Sequence, residues 1–194
     1  MSNHIDIIQS GDPVLRKKAK EVNLKELNTP EFKALCKKML IALDAEPDGV
    51  AIAAPQIGVS LRVFIVSHRA FELELLEEHH EGDLSQVEQK ENMIVINPEI
   101  VKLSRKKVSV PEGCLSVRWF YGNTMRHEKA TIRAYDENGK PFTYGGAGLI
   151  AQVFQHETDH LNGTLFIDHA TEIEELSADE IKEVKERAKK FHQK

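Results

Sequence analysis

A chain of 194 residues with 41% hydrophobic and 29% charged residues has the size and balance of one globular domain, 1–194, and no apolar run approaches a membrane span. Its 31 acidic against 26 basic residues leave a net charge of −5, which excludes a general nucleic-acid binder, because phosphate neutralisation needs a concentrated basic surface. Cys36 and Cys114 are too few for a disulfide framework, and the first residues lack the basic and apolar regions of a signal peptide, so a cytoplasmic location with both thiols reduced is expected.

Ile5 and Ile7 alternate with His4 and Asp6 as in a short strand, and Gly11-Asp12-Pro13 marks a turn before one helical turn and an extended tail carrying Leu15, Ala19 and Val22. From Pro30, the residues Phe32, Leu35, Cys36, Met39, Leu40 and Leu43 recur at helical spacing, which makes Cys36 a core residue. Small residues follow from Val50 to Gly58, interrupted by the single amide of Gln56. They allow a close backbone approach, and Gln56 could donate a hydrogen bond there or be satisfied by backbone. A strand is expected over 61–66. Residues 68–92, rich in Glu and containing His79 and His80, read as a solvated acidic excursion.

Strand signals return at 93–97, stopping at Pro98, then at 100–103 and 107–110. Next, Pro111-Glu112-Gly113-Cys114-Leu115-Ser116 places a thiol at a glycine-loosened position. Residues 131–135 and 141–144 flank the hairpin signal Glu137-Asn138-Gly139-Lys140, and the glycines at 145, 146 and 148 lead into a helix. That helix carries His156-Glu157-Thr158-Asp159-His160. At roughly 100° per residue, His160, Glu157 and Asp159 fall on the same side as His156, so two imidazoles can share one metal ion while Glu157 reaches its water. Leu149, Ile150, Val153, Phe154 and Leu161 form an apolar stripe around it. Residues 165–168 read as a brief extended run, and Ser177-Ala178-Asp179-Glu180 is a capping box opening a last helix with an apolar packing face at Ile181, Val184, Ala188 and Phe191. The expected class is α+β: mostly antiparallel sheet around the central metal-motif helix, with an additional C-terminal helix.

Three stretches together, Gly-Val-Ala-Ile-Ala-Ala-Pro-Gln-Ile-Gly at 49–58, Glu-Gly-Cys-Leu-Ser at 112–116 and Gln-His-Glu-Thr-Asp-His-Leu-Asn-Gly at 155–163, resemble in order and spacing the motifs of peptide deformylases. Gly-Asp-Pro-Val-Leu-Arg at 11–16 matches the family's N-terminal pattern, so the resemblance covers nearly the whole chain outside the acidic excursion. It implies hydrolysis of the N-formyl group from the initiator methionine of nascent peptides, with the ribosome as a further candidate partner and no specific nucleic acid or membrane. By this similarity Cys114, His156 and His160 bind one divalent metal, ferrous iron in the family, with zinc, nickel or cobalt as replacements. Glu157 is the base; Gln56 and the Leu115 N–H hold the oxyanion; Val50, Ala51, Gly113, Leu149, Gln152 and Val153 line the substrate site. Glu112 and Asp159 support the ligands.

Four positions depart from the family pattern: Ala51 stands where glycine is usual, Arg118 where proline is usual, Tyr121 near a usual arginine and Gln152 at an apolar pocket position. Ala51, Tyr121 and Gln152 keep open a related metallo-amidase or peptidase with another acyl or peptide substrate. A non-enzymatic peptide binder would be expected to lack a ligand or the base, and all four groups are present.

Overall fold

The computed structural model describes residues 5–78 and 91–191. Helix α1 (Pro30–Asp44) begins where the sequence places it: Pro30 fits the first helical position and the Thr29 hydroxyl accepts the Phe32 N–H at 3.3 Å. Its expected stripe is buried, Cys36 included, and burial pushes that thiol up to about 11, which makes it inert.

Two sheets follow. Strands β1 (Ala51–Ala53), β2 (Val63–Val66), β3 (Met93–Leu103), β6 (Lys129–Tyr135) and β7 (Pro141–Ala147) form one in that order; β4 (Lys107–Cys114), β5 (Val117–His127) and β8 (Thr171–Glu175) form the other. Every strand pair is antiparallel. Helix α3 (Gly148–Leu161) packs on the larger sheet, with Phe154 set against Phe64 and edge-on to Tyr144 at a centroid distance of 5.9 Å. Arg62 donates to the Leu161 carbonyl and to Asn162, which satisfies the C-terminus of that helix.

Several expectations are corrected. Residues around Ile5 and Ile7 form no strand; single backbone bonds, Ile8 N–H to the Gln56 carbonyl and Ser10 N–H to the Ser116 carbonyl, hold the segment instead. Pro98 does not end β3, because the register shifts between Ile96 and Glu99 and the ladder tolerates a missing donor at such a bulge. Asn97 adopts φ 51° there and its side chain pairs with both backbone groups of Val22.

Of the acidic excursion, 68–78 is helix α2 (His68–Glu78), which buries Arg69, Ala70 and Phe71. Its docking is polar as well as apolar: Arg69 donates to the Leu43 and Glu46 carbonyls, and Glu74 accepts the Ile150 N–H at 3.4 Å. His79 and His80 lie outside the described residues. Strand β5 extends through 117–127 and β8 adds a strand at 171–175, neither of which hydrophobic alternation reveals. Leu165 is extended, but Phe166–Asp168 close into a 3-10 turn. Helix α4 (Ala178–Phe191) has its capping box, with Glu180 accepting from the Ser177 N–H and hydroxyl. Its packing face is not buried among the described side chains: Ile181 and Val184 are half-buried, and Lys185 lies 4.9 Å from the Trp119 ring centroid.

Candidate metal centre and its cleft

Cys114 arrives at the end of β4, and His156 and His160 project from α3; one ligand atom from each lies within 4.8 Å of the others. Cys114 Sγ stands 3.1 Å from His160 Nε2. The Ser116 N–H at 3.4 Å and the Gln56 amide at 3.7 Å both point at Sγ. Among the described residues this is the group of three or more Cys, His or acidic side chains close enough to hold an ion.

Beneath the ligands lies a buried polar network. Glu112, 4% exposed, accepts from His156 Nδ1–H and from the Thr124 hydroxyl, and Arg126 donates to it twice, Nε to Oε2 at 2.9 Å and Nη2 to Oε1 at 2.7 Å. A third Arg126 donor meets Asp159 at 2.7 Å. With Nδ1 engaged, His156 keeps Nε2 for a metal. Burial alone would raise the Glu112 carboxyl, but the bonds from His156 and Arg126 hold it well below the usual carboxylate range. The expected supporting roles of Glu112 and Asp159 meet in Arg126, which sequence reading missed.

The donor set fits a divalent ion. Burial pushes the His160 imidazole well below its ordinary pKa and so keeps it in the neutral, ligating form. For His156 burial acts in the same direction but is outweighed by Cys114 and Glu112, which raise its pKa: this position attracts positive charge. Glu157, 3% exposed, has its Oε2 buried without a protein partner, and burial pushes its carboxyl up to about 7. One sulfur and two nitrogens suit several first-row ions.

A cleft of about 220 Å³ opens onto this centre. Gln56, Cys114, Leu115, His156 and Glu157 line it together with Val50, Ala51, Gly113, Leu149, Gln152 and Val153, so the substrate-side residues expected from sequence converge. Gln56 is 2% exposed; its Oε1 accepts the Ala53 N–H at 2.8 Å and its Nε2 faces Cys114 and Ser116. It is therefore both backbone-satisfied and aimed into the site. Gln152 donates to the Pro111 carbonyl at 2.9 Å, which bridges α3 to β4. Asp48, Pro111, Arg118 and Tyr121 also line the cleft. Tyr121 covers the Gly113 backbone so closely that a Cβ there would stand 2.5 Å from the ring.

The sequence model of polypeptide deformylases matches residues 5–176. The chain belongs to the polypeptide deformylase family. It is 38% identical to a peptide deformylase of Desulforudis audaxviator, over 86% of this chain and 94% of that one. It is 35% identical to peptide deformylase 1A, chloroplastic/mitochondrial, of Arabidopsis thaliana over 84% of its own length, and spans 60% of that longer protein. Among solved structures, the actinonin-bound class I type b peptide deformylase from Acinetobacter baumannii superposes with a TM-score of 0.71 at 30% identity, covering 87% of this chain and 99% of that one. The same bacterial enzyme with Met-Ala-Ser bound gives 0.72 at 30% identity, with the same coverage.

Proposed function

We propose that the chain, acting as one catalytic domain, hydrolyses the N-formyl group of the initiator methionine on nascent polypeptides and releases formate and a free amine. The observation that carries this reading is the convergence of Cys114, His156, His160, Glu157 and Gln56 at one cleft in a chain of deformylase sequence and fold. We assign Cys114, His156 and His160 as ligands of one divalent ion, ferrous iron in the cell, with zinc, nickel or cobalt able to substitute. When bound, the ion supplies Lewis acidity, lowering the pKa of a water and polarising the formyl carbonyl.

Glu157 accepts the proton of the attacking water and delivers it to the leaving amine. Its raised carboxyl pKa suits a group that both takes and returns a proton near neutrality. The Gln56 amide and the Leu115 N–H donate to the oxygen that becomes negative at the tetrahedral carbon. Val50, Ala51, Leu149 and Val153 enclose the methionine side chain, and Gly113 offers backbone to the peptide. No described helix is long and apolar enough to cross a membrane; the cytoplasm, with emerging chains at the ribosome, is the expected place of action.

The deciding experiment is formate release from a short N-formyl-methionyl peptide by anaerobically prepared, iron-loaded protein, beside the N-acetyl and unblocked peptides. Release from the formyl peptide alone is expected. Faster turnover of the acetyl or unblocked peptide would instead indicate the amidase or peptidase reading. Gln56→Ala removes one oxyanion donor and should lower kcat by about 10²–10³-fold. An unchanged kcat in a folded variant would remove Gln56 from the mechanism.

A further inference from the structure

The two walls of the cleft belong to different sheets. Val50 leads into β1, which begins at Ala51, whereas Gly113 and Cys114 end β4 with Leu115 just beyond, and no strand ladder joins those two strands. Gln56 bridges them at depth, bonding the Ala53 N–H and facing Cys114 and Ser116; at the mouth they are linked by Arg118, which follows Leu115 by three residues. Its guanidinium donates to both oxygens of Asp48, one of them at 3.2 Å, and to Glu46 Oε2 at 2.5 Å. The Arg118 side chain is 17% exposed, Asp48 16% and Glu46 28%, so the charges are sheltered and the bidentate geometry is stiff.

Immediately after Asp48, Gly49 is pressed against the opposite wall. A Cβ there would lie 3.2 Å from Leu115 Cδ1 and 3.1 Å from Leu43 Cδ1. One face of the guanidinium also rests 4.5 Å from the Trp119 ring centroid. These contacts engage the Arg118 guanidinium along its donor edge and on one face. It is built to hold the protein's own segments together rather than to receive a substrate group.

We infer that Arg118 is a specificity-determining positioning residue: by clamping Asp48 and Glu46 it sets the distance between the Val50–Ala51 wall and the Cys114 strand, and with it the width of the pocket for the formylated residue's side chain. This rests on the deformylase reading. A narrow pocket discriminates by fit, and a gap widened by a fraction of an ångström weakens the matched side chain while admitting a larger one. The chemistry on α3 is left in place.

The test uses metal-loaded wild type, Arg118→Gln, Arg118→Lys and Asp48→Asn. Steady-state rates are measured on N-formyl-Met and N-formyl-Phe peptides, and calorimetric Kd values on Met-Ala-Ser and Phe-Ala-Ser. Arg118→Gln should raise KM for the formyl-Met peptide about tenfold with kcat within about threefold, and should lower the preference for Met over Phe about fivefold in both KM and Kd. Arg118→Lys should recover part of each, since an ammonium pairs with one carboxylate but lacks the fork. Asp48→Asn keeps the guanidinium, loosens one arm and should shift both ratios in the same direction; it decides the matter if Arg118→Gln does not fold. Wild-type KM and selectivity in a folded variant, or a loss confined to kcat, would overturn the clamp. Peptide affinities read it without turnover, so a wild type that binds peptide and releases no formate would refute the deformylase reading alone.

Discussion

Replacing Glu157 by Gln is expected to lower formate release by about 10³-fold or more while leaving metal content at the wild-type level, because the substitution removes the only proton acceptor assigned to the reaction and no ligand. Gln is nearly isosteric and the site is buried, so packing around α3 survives. Formate release and metal stoichiometry, measured on one preparation, check both halves. Turnover close to wild type would show that another group takes the proton.

The same residue predicts a pH dependence. A base must be ionised, so kcat/KM should fall as pH drops through the Glu157 pKa. Burial raises that pKa to about 7 in the metal-free protein, and a bound cation lowers it, which puts the acid limb below 7. Stability of the metal-free protein moves the other way. Here the folded pKa lies above the unfolded one, so between roughly 4.5 and 7 the folded chain binds more protons and loses stability as pH rises, by up to about 3 kcal/mol. Metal-free Glu157→Gln should therefore be more stable than metal-free wild type at pH 8, and the gap should close near pH 4.5. Urea titrations at the two pH values measure it.

Much of this site could be read from the chain because its chemistry depends on local spacing. His156, Glu157 and His160 share a helical face whatever lies around them, and Cys114 was expected near them through the three-motif resemblance. The supporting shell was harder to see. On β5, Gly122, Thr124 and Arg126 occupy alternate inward positions, but they are small or polar, so hydrophobic period two fails although the backbone period holds. Arg126 becomes intelligible only when pairing of β4 with β5 brings it beside Glu112. Helix α2 was hidden for a different reason: Ala70 and Phe71 bury its first turn while the following glutamates dominate the composition. Arg118 registered as a departure from a pattern, and its partners 70 and 72 residues earlier gave no local sign of the clamp.

Arg126→Met is expected to be the most damaging substitution outside the ligands and base. Among the described residues it leaves the buried Glu112 carboxylate with only His156 and Thr124 as donors, and leaves Asp159 with the more distant His169 at 4.0 Å. Stripping the partner from a buried charge of this kind costs about 3–5 kcal/mol. Glu112 also orients His156, so metal affinity should fall about 10–100-fold. The sign of the pH effect follows from Glu112. Its folded pKa is depressed in wild type, so the stabilisation is complete at neutral pH and is lost only as pH falls through that low value. In the variant the carboxyl loses its main counter-charge, burial favours the protonated form, and Glu112 can neutralise itself at mildly acidic pH. The stability difference between wild type and variant should therefore be larger at pH 8 than at pH 5. A difference below about 1 kcal/mol at pH 8 would mean that the network is dispensable to the fold, and unchanged metal affinity that it is dispensable to the centre it underlies.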